Sequence, residues 1–209
     1  MKLYDFSPAA NAQRVRVFLA EKGISLPTQE LNVLEDEQFA EPYTSMNPFH
    51  CVPFLELDNG TIIAESITIC RYLEEQHPEP SLFGRTAEER AAVDMWLRRI
   101  ELDGFMPLLH AVRNHIPMFA GRVVPGTRTD LPQMPEMIKR GKEMGAILFD
   151  RLELRMEKRE TMALDRFTVA DISGFFTYRM TRRLEMNVER WPHIERWFAL
   201  VAARPAFQL

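Results

Sequence analysis

The sequence has few of the residues on which covalent cross-links and metal sites depend. Its 209 residues include two cysteines, Cys51 and Cys70, and five histidines scattered along the chain. This is too few cysteines for a disulfide framework, and the histidines lack the spacing of zinc ligands. Because 46% of the residues are apolar, we expect the chain to fold around a packed core without a structural metal.

Long apolar runs and a leader-like start are also missing. No run of about 18 or more apolar residues occurs, and the N-terminus has no basic segment followed by an apolar stretch and a small-residue cleavage site. These absences predict a cytoplasmic protein that does not associate with a membrane.

The charge pattern shows no concentrated basic face. The formal net charge is −4, with 5 basic and 13 acidic side chains in residues 1–83 (−8) and 21 and 17 in residues 84–209 (+4). In the second part, arginines are mixed with acidic residues at helical spacing, which is typical of a solvated, salt-bridged helix surface. We therefore expect no nucleic-acid partner.

The first part of the chain alternates strand-like and helix-like patterns. Ala12 to Lys22 repeats apolar residues at helical spacing, and Gly23 is a typical helix end. Asn59-Gly60 between two apolar runs is a strong hairpin signal. The predicted order is a strand at 2–6, the helix, a strand at 27–33, a hairpin with strands at 53–57 and 61–64, and a helix capped by Ser66 that runs to about Gln76.

After Leu82 the strand signals stop and only helical patterns remain. Apolar residues predict a helix from Thr86 to about His110, kinked near its end by Pro107. Thr168, followed three residues later by Asp171, is a capping-box variant that begins an apolar helix expected to be buried all round. The other predicted elements are a loop at 121–135, a long helix at 135–159 and a last helix at 192–203.

The order strand, helix, strand, Val52-Pro53, hairpin, Glu65-Ser66 and helix resembles the thioredoxin-like half of cytosolic glutathione transferases. Thr168-Val169-Ala170-Asp171 looks like that family's capping motif, so the resemblance spans essentially the whole chain. It implies an α/β N-terminal thioredoxin-like domain (βαβ-α-ββα) at residues 1–83. An all-α helical-bundle domain at residues 84–209 then holds the second substrate.

Val52-Pro53 carries the first part of the implied glutathione site. An X-Pro bond is the one peptide bond that is commonly cis, and in this family the proline is cis. The resemblance implies that the backbone of Val52 pairs with the cysteinyl part of glutathione like an added strand. His50 is then a candidate for the glycine carboxylate of glutathione. The alternative is an ordinary trans proline that opens an edge strand.

Glu65-Ser66 carries the second part, where the hairpin ends and a helix begins. Unpaired N–H groups and the positive end of the helix dipole suit a carboxylate ligand at such a point. The resemblance implies that Ser66 holds the γ-glutamyl carboxylate while Glu65 pairs with the ammonium group. The alternative is that Ser66 is a plain N-cap.

The residue that activates the thiol is less evident, because glutathione reacts as a thiolate and needs a nearby donor. Classes that use serine or cysteine place it where this chain has Ala9, Ala10 and Asn11. The segment resembles a bacterial subgroup in which an asparagine at the Asn11 position holds the thiolate, although that subgroup tends to have threonine at the Ala9 position. Our first candidate is Asn11, with Ser7 second, and Asn11 is alternatively a helix N-cap. Tyr4 is expected in the core or an interface.

The remaining candidates concern the second substrate, the cysteines and assembly. We expect Cys70 in the core and Cys51 in a loop, unreactive or able to form a mixed disulfide. Phe49 is a candidate for packing into a second subunit, as in family homodimers. Candidates for a mixed polar and apolar wall of the second-substrate pocket are His110, Arg113, His115, Met118 and Phe119.

The resemblance implies a glutathione transferase that uses glutathione as co-substrate, needs no metal and typically acts in detoxification. Three activities stay open: attack of the thiolate on a hydrophobic electrophile, glutathione-dependent reduction of a disulfide or peroxide, and glutathione binding by a non-catalytic scaffold. Ala9 and Ala10, which stand where activating residues are usual, keep the third possibility open.

Overall fold

The computed structural model describes residues 1–208, which form two compact units. The first unit comprises Met1–Pro80 together with the short segment Pro125–Thr127, and the second comprises Ser81–Val124 and the residues from Arg128 onward. Within residues 1–208, no helix is both long enough and apolar enough to cross a lipid bilayer.

The first unit is built on a four-stranded mixed sheet with strand order β2-β1-β3-β4. β1 runs parallel to β2 and antiparallel to β3, and β3 runs antiparallel to β4. A single crossover through α1 therefore joins the two parallel strands. The elements are β1 Lys2–Asp5, α1 Ala10–Lys22, β2 Thr28–Glu30, a 3-10 turn at Glu37–Phe39, α2 Tyr43–Met46, β3 Phe54–Glu56, β4 Ile62–Ala64 and α3 Ser66–Gln76.

Local signals in this unit act as predicted. Gly23 ends α1 in the left-handed conformation, with φ 64°, and its N–H contacts the last carbonyls of the helix. The β3–β4 hairpin turns at Asn59-Gly60, where Gly60 has φ 81° and its N–H donates to the carbonyl of Leu57 at 2.9 Å. Both glycines occupy backbone conformations that residues with a side chain rarely adopt.

Apolar side chains cover both faces of the sheet. On one face Tyr4, Leu31 and Phe54 form a buried cluster in which the Tyr4 and Phe54 rings stack at 4.6 Å. α1 packs against α3 and contributes the fully buried Phe18 to the other part of the core. Lys22, at the end of α1, is also buried: its ammonium group pairs with Glu74 and donates to backbone carbonyls.

The second unit is all helical. Its elements are α4 Ala87–Arg99, a π-helical segment at Ile100–Phe105, α5 Met106–His115, a 3-10 turn at Pro117–Phe119, α6 Pro135–Met156, α7 Val169–Arg183, α8 Pro192–Ala202 and a 3-10 turn at Pro205–Phe207.

The prediction of one helix from Thr86 to His110, kinked at its end by Pro107, is wrong in two respects. Helical backbone continues to His115, and the irregular stretch lies before the proline, at Ile100–Phe105. Pro107 has no N–H to donate to the preceding turn, so the wider π-helical turns immediately before it accommodate the lost hydrogen bond.

The π-helical segment lies close to α6 and α7 at Gly104. A Cβ on this residue would lie 2.4 Å from Cδ2 of Leu148 and 2.9 Å from Cγ2 of Thr177. Any side chain here would force Leu148 and Thr177 to shift, so Gly104 allows the helices to approach closely.

The capping box at the start of α7 is confirmed, and it is more extensive than predicted. Asp171 is fully buried and its carboxylate accepts from the backbone N–H of Thr168 (2.9 Å) and Met162 (2.7 Å) and from Nε1 of Trp197 (3.1 Å). Burial nevertheless raises the pKa of Asp171 to about 6, against the opposing effect of these hydrogen bonds. α7 is buried along most of its length, as expected.

Candidate functional site

Strand register brings three loops of the first unit to one end of the sheet. Tyr4 near the end of β1 lies opposite Phe54 at the start of β3, and Phe54 lies opposite Ala64 at the end of β4. The loop after β1, the loop before β3 and the start of α3 therefore adjoin one another. These loops, together with the first turn of α1, carry the candidate glutathione residues and the candidate thiol activators.

The loop before β3 is shaped by a buried amide that the sequence analysis missed. Asn47 is 2% exposed, its Nδ2 donates to the carbonyl of Cys51 at 2.8 Å, and its Oδ1 accepts from the N–H of Phe49 at 3.2 Å. Asparagine commonly forms such local bonds, but the sequence alone does not show that this one is buried.

The Val52-Pro53 peptide bond is cis, as the resemblance implied. The side chain of Val52 packs against the Tyr4 and Phe54 cluster. Its backbone N–H and C=O form no hydrogen bond with another residue of the described chain. Both groups are thus left for a ligand that pairs with them as a strand would.

His50 lies two residues before Val52 in the left-handed backbone region, with φ 49°. Its half-buried ring lies 4.8 Å from the ring of Phe39, measured between centroids. This packing restrains the imidazole beside the candidate glutathione site at Val52-Pro53 and Glu65-Ser66, which we call the dock.

Glu65-Ser66 differs in detail from the prediction that Ser66 caps a helix. Ser66 is the first residue of α3, the cap position belongs to Glu65, and no side chain makes the capping hydrogen bond. The reason is the backbone of Glu65, whose φ of 71° turns the chain into the helix one residue early. Such strain in a residue with a side chain is found most often at functional sites.

The hydroxyl of Ser66 is available for a ligand even though the residue is 4% exposed. No other residue among 1–208 forms a hydrogen bond with it. The N–H groups of the first turn of α3 are also without helical partners, and the helix dipole is positive there. The side chain of Glu65 is exposed beside them.

Asn11 is the second residue of α1, so the prediction that it forms the N-cap is wrong. The cap is Ala9, which has no side-chain acceptor. Oδ1 of Asn11 accepts from Nη1 of the buried Arg14 at 3.1 Å. Because a guanidinium only donates, this bond fixes the orientation of the amide and leaves its NH₂ group available as a donor.

Ser7 is engaged differently, because both its N–H and its hydroxyl donate to Oε1 of Glu30 at 2.8 Å. Arg16 joins this group by pairing with Glu30 at 3.0 Å and with the buried carboxylate of Asp5. Burial raises the pKa of Asp5, and the charge and hydrogen bond of Arg16 oppose that rise. The network anchors the loop between β1 and α1.

Tyr4 lies in the core, as expected, and its hydroxyl donates to Oε2 of Glu56 at 2.9 Å. Burial, followed by the bond to Glu56, raises the pKa of Tyr4 to about 12. A phenol in this state is a poor candidate for stabilising a thiolate.

The cysteines form no disulfide. Cys70 is fully buried, which confirms its prediction as a core residue, and burial raises the pKa of its thiol while the nearby charge of Arg14 opposes the rise. Cys51 is partly exposed in the loop before β3.

The candidates for the second substrate lie in the second unit, at the end of α5 and in the turn after it. Nε of Arg113 donates to the carbonyl of Arg122 at 2.9 Å, and its guanidinium lies 4.8 Å from the centroid of the Phe119 ring. Met118 is 54% exposed, and His110 is partly buried. His115, also exposed, ends the helix.

Across residues 1–208, no three His, Cys, Asp or Glu side chains are close enough to hold a metal ion.

Two family models match the chain along most of its length. Residues 7–76 match the model of the glutathione S-transferase N-terminal domain, and residues 128–205 match that of the C-terminal domain. The chain belongs to the glutathione S-transferase family. The first match includes every candidate glutathione residue and both candidate thiol activators, from Ser7 to Ser66.

Relatives of this glutathione S-transferase family member include proteins with different activities. Glutathione S-transferase F10 of Arabidopsis thaliana is 29% identical over 95% of this chain and 91% of its own length. Maleylacetoacetate isomerase of Pseudomonas aeruginosa is 27% identical over 100% of this chain and 94% of its own. A solved glutathione S-transferase of class Gtt2 from Vibrio parahaemolyticus is 33% identical, with a TM-score of 0.84 over 100% and 96% of the two chains.

Proposed function

We propose that this chain binds glutathione at the end of its sheet and holds it as a thiolate that attacks a hydrophobic electrophile. The observation that carries the proposal is that three groups without a partner for hydrogen bonding belong to segments that start or end at this end of the sheet. They are the backbone of Val52, the start of α3 at Ser66 and the amide NH₂ of Asn11. Each matches a different part of the tripeptide.

In the proposed complex, the cysteinyl backbone of glutathione pairs with Val52 next to Pro53, as an added strand would. The γ-glutamyl carboxylate accepts from Ser66 and from N–H groups of the first turn of α3, and its ammonium group pairs with Glu65. His50 contacts the glycine carboxylate. The Ser66 hydroxyl, which has no hydrogen-bond partner among residues 1–208, and the exposed carboxylate of Glu65 support these assignments.

Asn11 is the proposed catalytic residue, with its NH₂ donating to the sulfur. Its bond to Arg14 orients this donor before the ligand binds, and preorganised donors stabilise developing negative charge most effectively. The hydroxyl hydrogen of Ser7 already points to Glu30, which supports Ser7 in an anchoring role.

A comparison of two α3 variants tests the dock. Ser66→Ala removes a hydroxyl at the proposed carboxylate site, whereas Thr68→Ala removes an exposed hydroxyl two residues further along the same helix. We expect Ser66→Ala to weaken glutathione binding about tenfold, the equivalent of one strong hydrogen bond, while Thr68→Ala retains wild-type affinity by calorimetry. Equal affinities in the wild type and both variants would show that the glutathione carboxylate does not bind at the start of α3.

Reaction type is a separate question, since the relatives include a maleylacetoacetate isomerase and no serine, cysteine or tyrosine stands ready as activator. A panel of assays with glutathione and an activated aryl chloride, an organic hydroperoxide, a mixed disulfide or maleylacetoacetate distinguishes the possibilities. We expect turnover with the aryl chloride. Glutathione binding with no turnover in any assay would identify a scaffold instead.

We propose that the second substrate contacts the helical unit at His110, Arg113, Met118 and Phe119. The exposed thioether of Met118 and the Arg113–Phe119 pair offer apolar and cationic contacts. Met118→Ala is expected to raise KM for the aryl substrate without changing KM for glutathione. An unchanged KM for the aryl substrate would contradict this assignment.

We further propose a cytoplasmic homodimer in which Phe49 packs against a second subunit. Phe49 is 70% exposed and so offers a large apolar side chain to such a contact. Light scattering should give twice the mass of one chain for the wild type, and Phe49→Ser should shift the equilibrium toward monomer. A monomeric wild type would refute the dimer.

A further inference from the structure

A short segment of the chain, Pro125–Thr127, lies against the loop that carries the proposed dock. It comes from the long connection between α5 and α6, yet by its contacts it belongs to the first unit. In the residues that flank the segment along the chain, the N–H of Thr129 donates to the carbonyl of Gly121 at 3.1 Å.

Gly126 makes the closest approach between this segment and the loop. A Cβ on Gly126 would lie 2.0 Å from the carbonyl oxygen of Phe49 and 2.8 Å from Sγ of Cys51. Both distances are far below van der Waals contact, so only a residue without a side chain fits. Gly126 also has φ 66°, in the region that favours glycine.

The loop therefore has two separate sets of contacts. The buried amide of Asn47 bonds to Phe49 and Cys51, and the backbone of Gly126 lies against the same two residues. The loop's own largest side chain, Phe49, is 70% exposed within the single chain and contributes little packing to its own unit. Removal of the glycine contact would leave one of the two supports.

We propose that Gly126 is a positioning residue: the segment Pro125–Thr127 clamps the loop at Phe49–Cys51 and so holds the adjacent backbone of Val52 in place for glutathione. The clamp also shields the Cys51 thiol from reagents in solution. Its effect on glutathione rests on the function proposed above, whereas the shielding of Cys51 does not.

The chain supplies a matched control for this proposal. Gly121 belongs to the same connection and has φ 71°, but a Cβ there would meet only the carbonyl oxygen of Thr129, at an ordinary 3.8 Å. Alanine at either position must adopt a left-handed backbone conformation, which destabilises the protein by about 1 kcal/mol in both variants. Only Gly126→Ala also disrupts the clamp. Pro125→Gly serves as a second variant, because it loosens the segment without adding an atom.

The first measurement is the rate at which iodoacetamide alkylates Cys51 in the folded protein. Cys70, the other cysteine of the sequence, is fully buried and its thiol pKa is raised by burial, so it does not interfere. The second measurement is the Kd of glutathione by calorimetry, with KM and kcat for glutathione where turnover is found.

We expect Gly126→Ala to speed alkylation of Cys51 about tenfold relative to Gly121→Ala, as a greater population of the open loop would. Glutathione Kd and KM should rise by about fivefold, equivalent to about 1 kcal/mol, with kcat at saturating glutathione nearly unchanged. Pro125→Gly should shift both quantities in the same direction by less.

The clamp would be overturned if Cys51 were alkylated at equal rates in Gly126→Ala and Gly121→Ala. If Gly126→Ala does not fold, equal rates in Pro125→Gly and wild type would overturn it instead. Faster alkylation with an unchanged glutathione Kd would also overturn it as a positioning device. If the wild-type protein binds no glutathione, the proposed function fails, and the alkylation rates alone then support or overturn the clamp.

Discussion

Replacement of Asp171 by alanine should destabilise the helical unit by an amount that the structure allows us to estimate. The variant loses the acceptor for three N–H donors, those of Met162, Thr168 and Trp197. A buried donor without a partner costs about 1–3 kcal/mol, so the sum is about 3–9 kcal/mol. Local relaxation around the new space favours the lower end, and we expect a loss of about 4 kcal/mol.

The same carboxylate should give the protein a distinctive pH dependence. Burial raises the pKa of Asp171 from 3.8 to about 6, so between these values the folded state binds a proton that the unfolded state does not. The contribution of this group to the free energy of unfolding therefore rises as the pH falls from 7 to 4. The difference between a pKa of 3.8 and one of about 6 corresponds to about 3 kcal/mol of stability, which is lost as the pH rises through 6.

Urea unfolding followed by circular dichroism measures both effects, and Asp165 offers a control because its side chain is 93% exposed. Asp165→Ala should change the free energy of unfolding by less than about 0.5 kcal/mol. The wild type should gain stability relative to Asp171→Asn as the pH is lowered, since other carboxylates titrate in both proteins. A loss below about 1 kcal/mol for Asp171→Ala, or parallel pH profiles for wild type and Asp171→Asn, would refute the reasoning.

Three other predictions follow from contacts described above. Lys22→Met removes a buried ammonium group that lies 2.5 Å from Glu74, and should lower the free energy of unfolding by about 3 kcal/mol in urea; a loss under 1 kcal/mol would contradict this. Gly104→Ala should overpack the helical unit by about 1–3 kcal/mol, and a melting temperature equal to wild type would refute the close approach. In steady-state assays, Asn11→Ala should lower kcat about 100-fold, while Ser7→Ala should change it less than about twofold. A larger loss in Ser7→Ala than in Asn11→Ala would identify Ser7 as the residue that stabilises the thiolate.

Much of the fold was predictable because its signals are local. Gly23 ends a helix, Asn59-Gly60 turns a hairpin, and Thr168 with Asp171 begins a capped helix, each through conformations available to a few consecutive residues. The family resemblance depended on the order of such signals. The comparisons with known proteins confirm it.

Features set by distant contacts were not predictable in the same way. The role of Asn47 depends on its burial under its own loop, and the approach of Gly126 to Phe49 joins residues more than 70 positions apart. Ser66 was predicted as a cap, and a cap was the alternative considered for Asn11, both from the residue type and its place before a helical pattern. In the structure the cap of α3 is Glu65, one residue before Ser66, and the cap of α1 is Ala9, two residues before Asn11.

The central claim is that this chain binds glutathione and stabilises its thiolate. The most direct test is a pH titration of the thiolate's ultraviolet absorbance for glutathione bound to the wild-type protein. We expect the pKa of the bound thiol to lie at least about 1 unit below the ordinary value of about 8.5, and to rise again in Asn11→Ala. Bound glutathione with an unshifted thiol pKa, or no binding at all, would contradict the account.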